Sequence, residues 1–239
     1  CTRCFRRIRE EGERRKNAVV TCESCRGAVY CGVRCREDDD AHAGECALVQ
    51  RAVTDPRLRS ATRGLRMFLR LLYLRAAHPH RFEALGALQS HLAHLPPAQQ
   101  ARLRGMAGAV NSMLPPPAQM PVEALADMMS KVHTNLHGVV DAAGRALGSG
   151  LYPAAAMFNH SCAPNAVVSF ARGGRLRVRA IVLIAEGDEV CIAYTELYAA
   201  AAARRAALES KKAFLCTCTR CTDPVAVRHD LPLEGWACE

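Results

Sequence analysis

The 239-residue sequence has no apolar run approaching the roughly 18–20 residues of a membrane-spanning helix, so neither a span nor a membrane partner is expected. Its opening, CTRCFRRIREEGERRK, is charged and lacks the apolar centre of a signal peptide. It begins at Cys1 and not at Met, as expected of a fragment of a longer protein. No internal repeat recurs, and no basic run has the form of a clear nuclear-localisation signal. Between positions 47 and 161 there is no cysteine, although the chain carries thirteen. An odd total in a chain of this length does not suit a disulfide scaffold, which is usually small, secreted and even in number. The cysteines instead fall in closely spaced groups near the two ends, the spacing of metal ligands. That pattern implies a reducing compartment, the cytoplasm and/or the nucleus.

The formal charge of +9 counts every thiol as neutral. Three divalent ions would add six charges and eleven thiolates would remove eleven, leaving about +4. Direct nucleic-acid binding is therefore not expected, despite basic clusters at Arg6, Arg7 and Arg9 and at Arg14, Arg15 and Lys16.

Residues 1–46 follow C-x2-C, C-x2-C, C-x3-C and H-x3-C, formed by Cys1, Cys4, Cys22, Cys25, Cys31, Cys35, His42 and Cys46. Eight ligands make two closed tetrahedral sites with no position left for a catalytic water. Two or three intervening residues let a tight knuckle or a helical turn aim both donors at one ion. The segment has few large apolar residues, so metal must stand in for a core, and its fold should be lost with the metal. The spacing resembles the MYND zinc finger, with a RING-like cross-brace as the competing arrangement. The MYND resemblance implies interleaved sites: Cys1, Cys4, Cys31 and Cys35 hold one ion, and Cys22, Cys25, His42 and Cys46 the other. It also implies a surface for proline-rich peptides.

From 47 to 137 the chain reads as helices. LRMFLRLLYLRAA places Leu65, Phe68, Leu69, Leu72 and Tyr73 on one face with arginines between them. RFEALGALQSHLAHL reads as a second helix, ending at Pro96-Pro97. AQQARLRGMAGAVNSML and PVEALADMMSKVHTNL read as a third and a fourth. The histidines here, at 78, 80, 91, 94, 133 and 137, read as packing or surface residues from pattern alone.

Beyond 138 the pattern turns to strands: AVVSF, a hairpin turn at Gly173-Gly174, LRVRAIVLI and VCIAY. Gly148 and Gly150 read as a turn before LYP. Glu186-Gly187-Asp188-Glu189 reads as an exposed turn. An alanine-rich helix then runs into FLCTCTRC, where Cys216, Cys218 and Cys221 supply three ligands within six residues and need a fourth. Cys191 lies within a strand, whereas Cys162 lies unpaired in the turn NHSCAPN, so Cys162 is assigned to complete the site.

An embedded MYND finger, a helical insert, NHSCAPN, the run GDEVCIAY and C-x-C-x2-C in this order resemble the SMYD lysine methyltransferases, proteins built on a SET domain. The resemblance covers nearly the whole chain. It implies an α+β fold: a MYND zinc finger at 1–46, a helical linker and SET insert at 47–137, a SET core at 138–198, and a helix with a post-SET zinc clip at 199–239. It implies S-adenosylmethionine as cofactor, three structural zinc ions, and a lysine-containing protein substrate, histone or non-histone. Asn159 and His160 would hold the cofactor mainly through backbone groups and the Asn amide, and Phe214 would stack on its adenine. Tyr194 would orient the methyl group and the lysine amine. His91 and Asn135 match positions where the family's insert reaches the cofactor. An adapter that binds partners without turnover is the alternative function.

The sequence departs from the family pattern in three places. The family's upstream G-x-G strand is not in this sequence. Lys212 stands where the family often has Tyr, and His137 where it usually has Phe, so two aromatic walls of the expected lysine channel are replaced. Aromatic residues are only 5% of the chain, which leaves Tyr198 as the nearest substitute to consider.

Overall fold

The computed structural model describes residues 1–5, 8, 19–54, 62–141, 143–171 and 173–235. The basic clusters at 6–16 and Cys238 lie outside the described residues. Two compact units are formed, one from 1–88, 102–129 and 172–175, the other from 89–101, 130–171 and 176–239. No helix among the described residues is long and apolar enough to cross a membrane.

The first unit opens with β1 (Val20–Thr21) paired antiparallel to β2 (Val29–Tyr30), followed by α1 (Val33–Glu37) and α2 (Asp40–Thr54). The last two residues of the H-x3-C pair lie on the first turns of α2. Helix α3 (Thr62–Ala77) packs against α2 and against α4 (Pro79–Gly86). Leu65, Phe68 and Leu69 are buried as the periodicity predicts, but Leu71 is more buried than Leu72. Two flanking helices widen the apolar stripe beyond a single seam. Helices α5 (Pro97–Met113) and α6 (Val122–Asn135) contribute Ala107, Val110, Leu125, Ala126 and Met128 to this core. Pro97 opens α5 and does not merely separate it, because a first-turn residue needs no amide hydrogen.

The second expected helix is broken. Helix α4 stops at Gly86, and only a 3-10 turn, Leu92–His94, follows. Side chains capture the intervening amides: Ser130 Oγ accepts from the His91 amide at 3.2 Å and Ser90 Oγ from the Leu92 amide at 3.3 Å. Such bonds compete with the helical ladder.

The second unit holds the sheet elements. Strand β3 (Leu136–Val140) runs antiparallel to β4 (Ala146–Leu151), with a bulge at Val139/Val140. Gly148 and Gly150 thus lie within a strand and not in a turn. Gly150 pairs with His137, and a Cβ on Gly150 would stand 2.5 Å from the Tyr152 ring, so a side chain there would have to displace that ring. Strand β5 (Asn159–His160) lies parallel to β8 (Cys191–Ile192), which sets NHS beside the segment carrying Tyr194. Strand β6 (Ala166–Ala171) pairs with β7 (Arg175–Ala180) across Gly173 and Gly174, whose φ angles of 82° and 71° are those of a tight hairpin.

Two expected strands are shorter than their apolar runs. β7 ends at Ala180, where the Ile181 amide turns to donate to the Asn165 carbonyl, and Ile181, Val182 and Leu183 are exposed. VCIAY pairs only over Cys191–Ile192. Helix α7 (Ala201–Lys212) is followed by α8 (Thr219–Thr222) and α9 (Pro224–His229). Ala213 caps α7 in the left-handed conformation, φ 57°, a place where glycine is usual. This reversal turns the chain from the helix into Phe214 and the cysteines.

Candidate functional site

Three groups of four donors converge: Cys1, Cys4, Cys31 and Cys35; Cys22, Cys25, His42 and Cys46; Cys162, Cys216, Cys218 and Cys221. Within each group all donor atoms lie within 4.8 Å of one another. Four sulfurs about 2.3 Å from a tetrahedral zinc ion stand about 3.8 Å apart. The observed separations are 3.7 Å for Cys4–Cys31, 3.6 Å for Cys31–Cys35, 3.6 Å for Cys22–Cys46, 3.9 Å for Cys162–Cys216 and 3.6 Å for Cys162–Cys221. The donor sets and spacings suit zinc. The grouping is the interleaved one expected at the front of the chain, and Cys162 joins the C-terminal trio while Cys191 does not.

Two of the sets have charged groups behind them. His42 turns Nε2 toward Cys25 Sγ, 3.8 Å away, and Nδ1 toward Glu45 Oε1, 3.2 Å away. A carboxylate on the far nitrogen fixes the ring for metal binding through Nε2. Glu45 has no solvent exposure, and the same oxygen accepts from Arg66 at 2.8 Å and Arg70 at 3.1 Å. Arg70 also grips Asp39 at 2.7 Å, and Asp39 accepts from the Tyr30 hydroxyl at 3.1 Å. The arginines of α3, which look solvent-directed in the sequence, thus tie that helix to the His42 ligand.

The C-terminal set is stitched by three charged residues. Arg204, fully buried on α7, donates to Asp230 Oδ2 at 2.6 Å and to the Ala199 carbonyl at 2.7 Å, and lies 3.8 Å from Cys221 Sγ. Arg220 donates to Asp230 at 2.8 Å, to the Cys162 carbonyl at 3.0 Å and to the Leu197 carbonyl at 2.9 Å. Burial alone would raise the Asp230 carboxyl, but hydrogen bonds from Arg220 and Arg204 hold it below its ordinary value. Four thiolates around a dication would carry two excess negative charges, of which the Arg204 guanidinium, 3.8 Å from Cys221 Sγ, can offset one at most. The thiols differ among themselves. Burial raises Cys162 to about 12, whereas at Cys218 the burial penalty is outweighed by hydrogen bonds, the Cys162 amide first, giving about 6. Metal binding therefore has to displace protons from some of these sulfurs.

Beside this set, His160, Tyr194 and Phe214 form an aromatic cluster, with centroids 5.4 Å apart for His160–Tyr194, 6.1 Å for His160–Phe214 and 6.5 Å for Tyr194–Phe214. His160 Nδ1 accepts from the Tyr194 amide at 3.0 Å, so the other nitrogen, 3.3 Å from Cys162 Sγ, bears the proton in the neutral ring. Burial, then the charge of Arg204, lowers the His160 pKa and keeps it in that form. His160 is the bridge between the cysteine clip and the tyrosine. The Tyr194 hydroxyl donates to the Phe158 carbonyl at 2.5 Å, and burial raises its pKa, so it stays a neutral phenol. Its oxygen lone pairs remain available as acceptors.

The remaining expected site residues lie in the same unit. Asn159 is exposed, and its amide nitrogen donates to Glu189. Asn135 is buried, with its amide donating to the Gln89 and Lys131 carbonyls at 2.9 and 2.7 Å. The His91 ring packs 6.2 Å from His94, and its pKa is lowered by burial, by His94 and by Lys212. His137 stacks edge-on against Tyr152 at 5.9 Å. Tyr198 is 85% exposed and lies outside the aromatic cluster. Glu189, expected in a free turn, instead receives Asn159 and, through its carbonyl, Asn165 at 2.8 Å, while Asn165 Oδ1 takes the Cys191 amide at 2.8 Å. The second Asn of NHSCAPN thereby locks the motif to β8, a role its place in the motif could have suggested.

Comparison with known proteins gives a consistent result. The family model described as SET domain matches residues 15–195. The chain is 29% identical to "Histone-lysine N-methyltransferase ASHR1" of Arabidopsis thaliana over 251 aligned positions, covering 100% of this chain and 50% of that protein. It is 28% identical to "N-lysine methyltransferase SMYD2" of Gallus gallus, covering 93% of this chain and 50% of that protein. For "Histone-lysine N-methyltransferase SMYD3" of Mus musculus the identity is 27%, with 86% and 49% covered. The chain spans about half the length of the curated relatives it matches.

Proposed function

The chain belongs to the SET-domain family, of the SMYD type, and from this we propose that the protein carrying it transfers a methyl group from S-adenosylmethionine to lysine side chains of a protein substrate. The observation that carries this reading is the single constellation formed by Tyr194, His160 and Phe214, held through Cys162 to the cysteine clip. Its parts fit such a cofactor. Phe214 is half-buried and offers an aromatic face, and Asn159 is an exposed amide at the end of β5.

Bound S-adenosylmethionine supplies an electrophilic methyl group. Tyr194, its own proton committed to the Phe158 carbonyl, would accept weak hydrogen bonds from the methyl group or the lysine amine and so align them. A free lysine amine has a pKa of about 10.4 and must lose its proton before it can attack. A site that desolvates the amine favours the neutral form, as burial does here for Lys212, whose pKa is lowered. All three groups offer four protein donors and would hold structural zinc, the first two as a MYND finger able to receive a proline-rich peptide. Histone and non-histone proteins are both within the substrate class.

A non-catalytic adapter is the second reading, and Lys212 is the observation in its favour: its ammonium stands 5.1 Å from the centroid of the Tyr194 ring. Calorimetric titration of the full-length protein with S-adenosylhomocysteine tests the cofactor part. Saturable one-site binding, weakened at least tenfold in Phe214→Ala, is expected; absence of binding by the unaltered protein overturns it.

A further inference from the structure

Lys212 is a half-buried cation with too few partners. It ends α7, and its ammonium donates to the Thr134 carbonyl at 2.5 Å and faces the Tyr194 ring. Among the described residues no carboxylate pairs with it. An ammonium has three donors, and the Thr134 carbonyl occupies one. The neighbours make the imbalance worse. His91 and His137 both lie close enough for the Lys212 charge to lower their pKa, after burial, which is the larger cause for each. Burial likewise lowers the pKa of Lys212 itself. A fold seldom keeps a cation out of water without an anion unless a ligand brings one.

We propose that Lys212 is the receptor for a carboxylate delivered into this site by a ligand. The charge balance selects the class: one lysine ammonium beside two neutral imidazoles matches a single negative charge, not a phosphate dianion. A carboxylate oxygen takes the free ammonium donors, and a neutral His91 or His137 can add a ring N–H. Two ligands of the proposed reaction carry such a group: the amino-acid end of the cofactor, and an acidic residue beside the acceptor lysine. Only these sources rest on the reading above. The receptor itself rests on the Lys212 environment.

The test uses the full-length protein and two variants, Lys212→Met, which keeps the length and removes the charge, and Lys212→Arg, which keeps the charge. Zinc content and circular dichroism establish that each is folded. Calorimetry gives Kd for S-adenosylhomocysteine and for 5′-methylthioadenosine, which has the same nucleoside thioether without the amino-acid end. It also gives Kd for a lysine peptide with glutamate beside the lysine and for its glutamine counterpart. Loss of a charge-assisted hydrogen bond should weaken the carboxylate ligand roughly 10–100-fold in Lys212→Met, with most of the affinity kept in Lys212→Arg. If S-adenosylhomocysteine weakens and methylthioadenosine does not, the carboxylate is the cofactor's. If only the glutamate peptide weakens, it is the substrate's. If the unaltered protein binds these ligands and Lys212→Met changes none by more than threefold, the receptor is refuted while the methyl-transfer reading stands. If the unaltered protein binds none of them, both readings fall.

Discussion

Glu45→Gln removes one negative charge from a side chain without solvent exposure and keeps its shape. Its Oε1 atom lies 2.8 Å from Arg66, 3.1 Å from Arg70 and 3.2 Å from His42 Nδ1. Breaking a buried ion pair by neutralising one side costs about 3–5 kcal/mol. Here Arg70 keeps Asp39 and Arg66 keeps the Gly27 carbonyl, so the lower end, about 3 kcal/mol, is expected. For a chain of this size that is a fall in Tm of roughly 6–12 °C. The amide oxygen of Gln still accepts from His42, so metal affinity should suffer little. Glu45→Leu removes that acceptor as well and should lower affinity at the Cys22–Cys25–His42–Cys46 site about 10–100-fold. Thermal melts in zinc-buffered solution and competition with a chromogenic chelator separate the two effects. A Glu45→Gln protein melting within about 2 °C of the unaltered one would refute the ion-pair account. Unchanged chelator competition in Glu45→Leu would refute the His42 positioning.

Cys162→Ser should reduce the metal content from three zinc ions per chain to two, read by native mass spectrometry; three ions retained would contradict the ligand assignment. Tyr194→Phe should lower kcat roughly tenfold, about 1.4 kcal/mol of barrier, with the fold intact, and an unchanged rate would remove Tyr194 from the reaction. Asp230 contributes its stability in the ionised form, because its carboxyl is held below the ordinary value. That contribution is complete above the ordinary carboxylate pKa of about 3.9 and is lost as the pH falls through the lower folded value. Asp230→Asn should therefore be less stable than the unaltered protein at neutral pH, by about 3 kcal/mol with Arg204 left buried and unpaired. The gap should close in acid; a gap independent of pH would contradict the sign.

The metal ligands were legible because their chemistry lies in their spacing. A pair such as Cys22 and Cys25, two residues apart, can reach one ion locally, and the odd cysteine of NHSCAPN had nowhere else to go. NHS beside the Tyr194 strand followed from the family resemblance and appears as the parallel pairing of β5 and β8. What supports the ligands was not legible. Glu45 looks like any surface acid on an amphipathic helix until Arg66 and Arg70, more than twenty positions away, are seen to point at it. Arg204 and Asp230 are no more suggestive apart. Strand ends are not legible where an apolar run such as Ile181–Leu183 is exposed beyond the end of β7, since periodicity reports side-chain character and not backbone partners. The helix break after Gly86 depends on the Ser130 hydroxyl, forty-odd positions downstream, taking the His91 amide, which no local pattern contains.

The central claim is lysine methylation at the Tyr194 constellation. It is tested most directly by incubating the full-length protein with methyl-labelled S-adenosylmethionine and a panel of histone and cytosolic proteins, then hydrolysing the products to amino acids. Label recovered as N-methyl-lysine from at least one protein, and reduced roughly tenfold in a parallel Tyr194→Phe reaction of equal length, is the result expected. Saturable cofactor binding with no label on lysine from any protein would contradict the account and leave the adapter reading in its place.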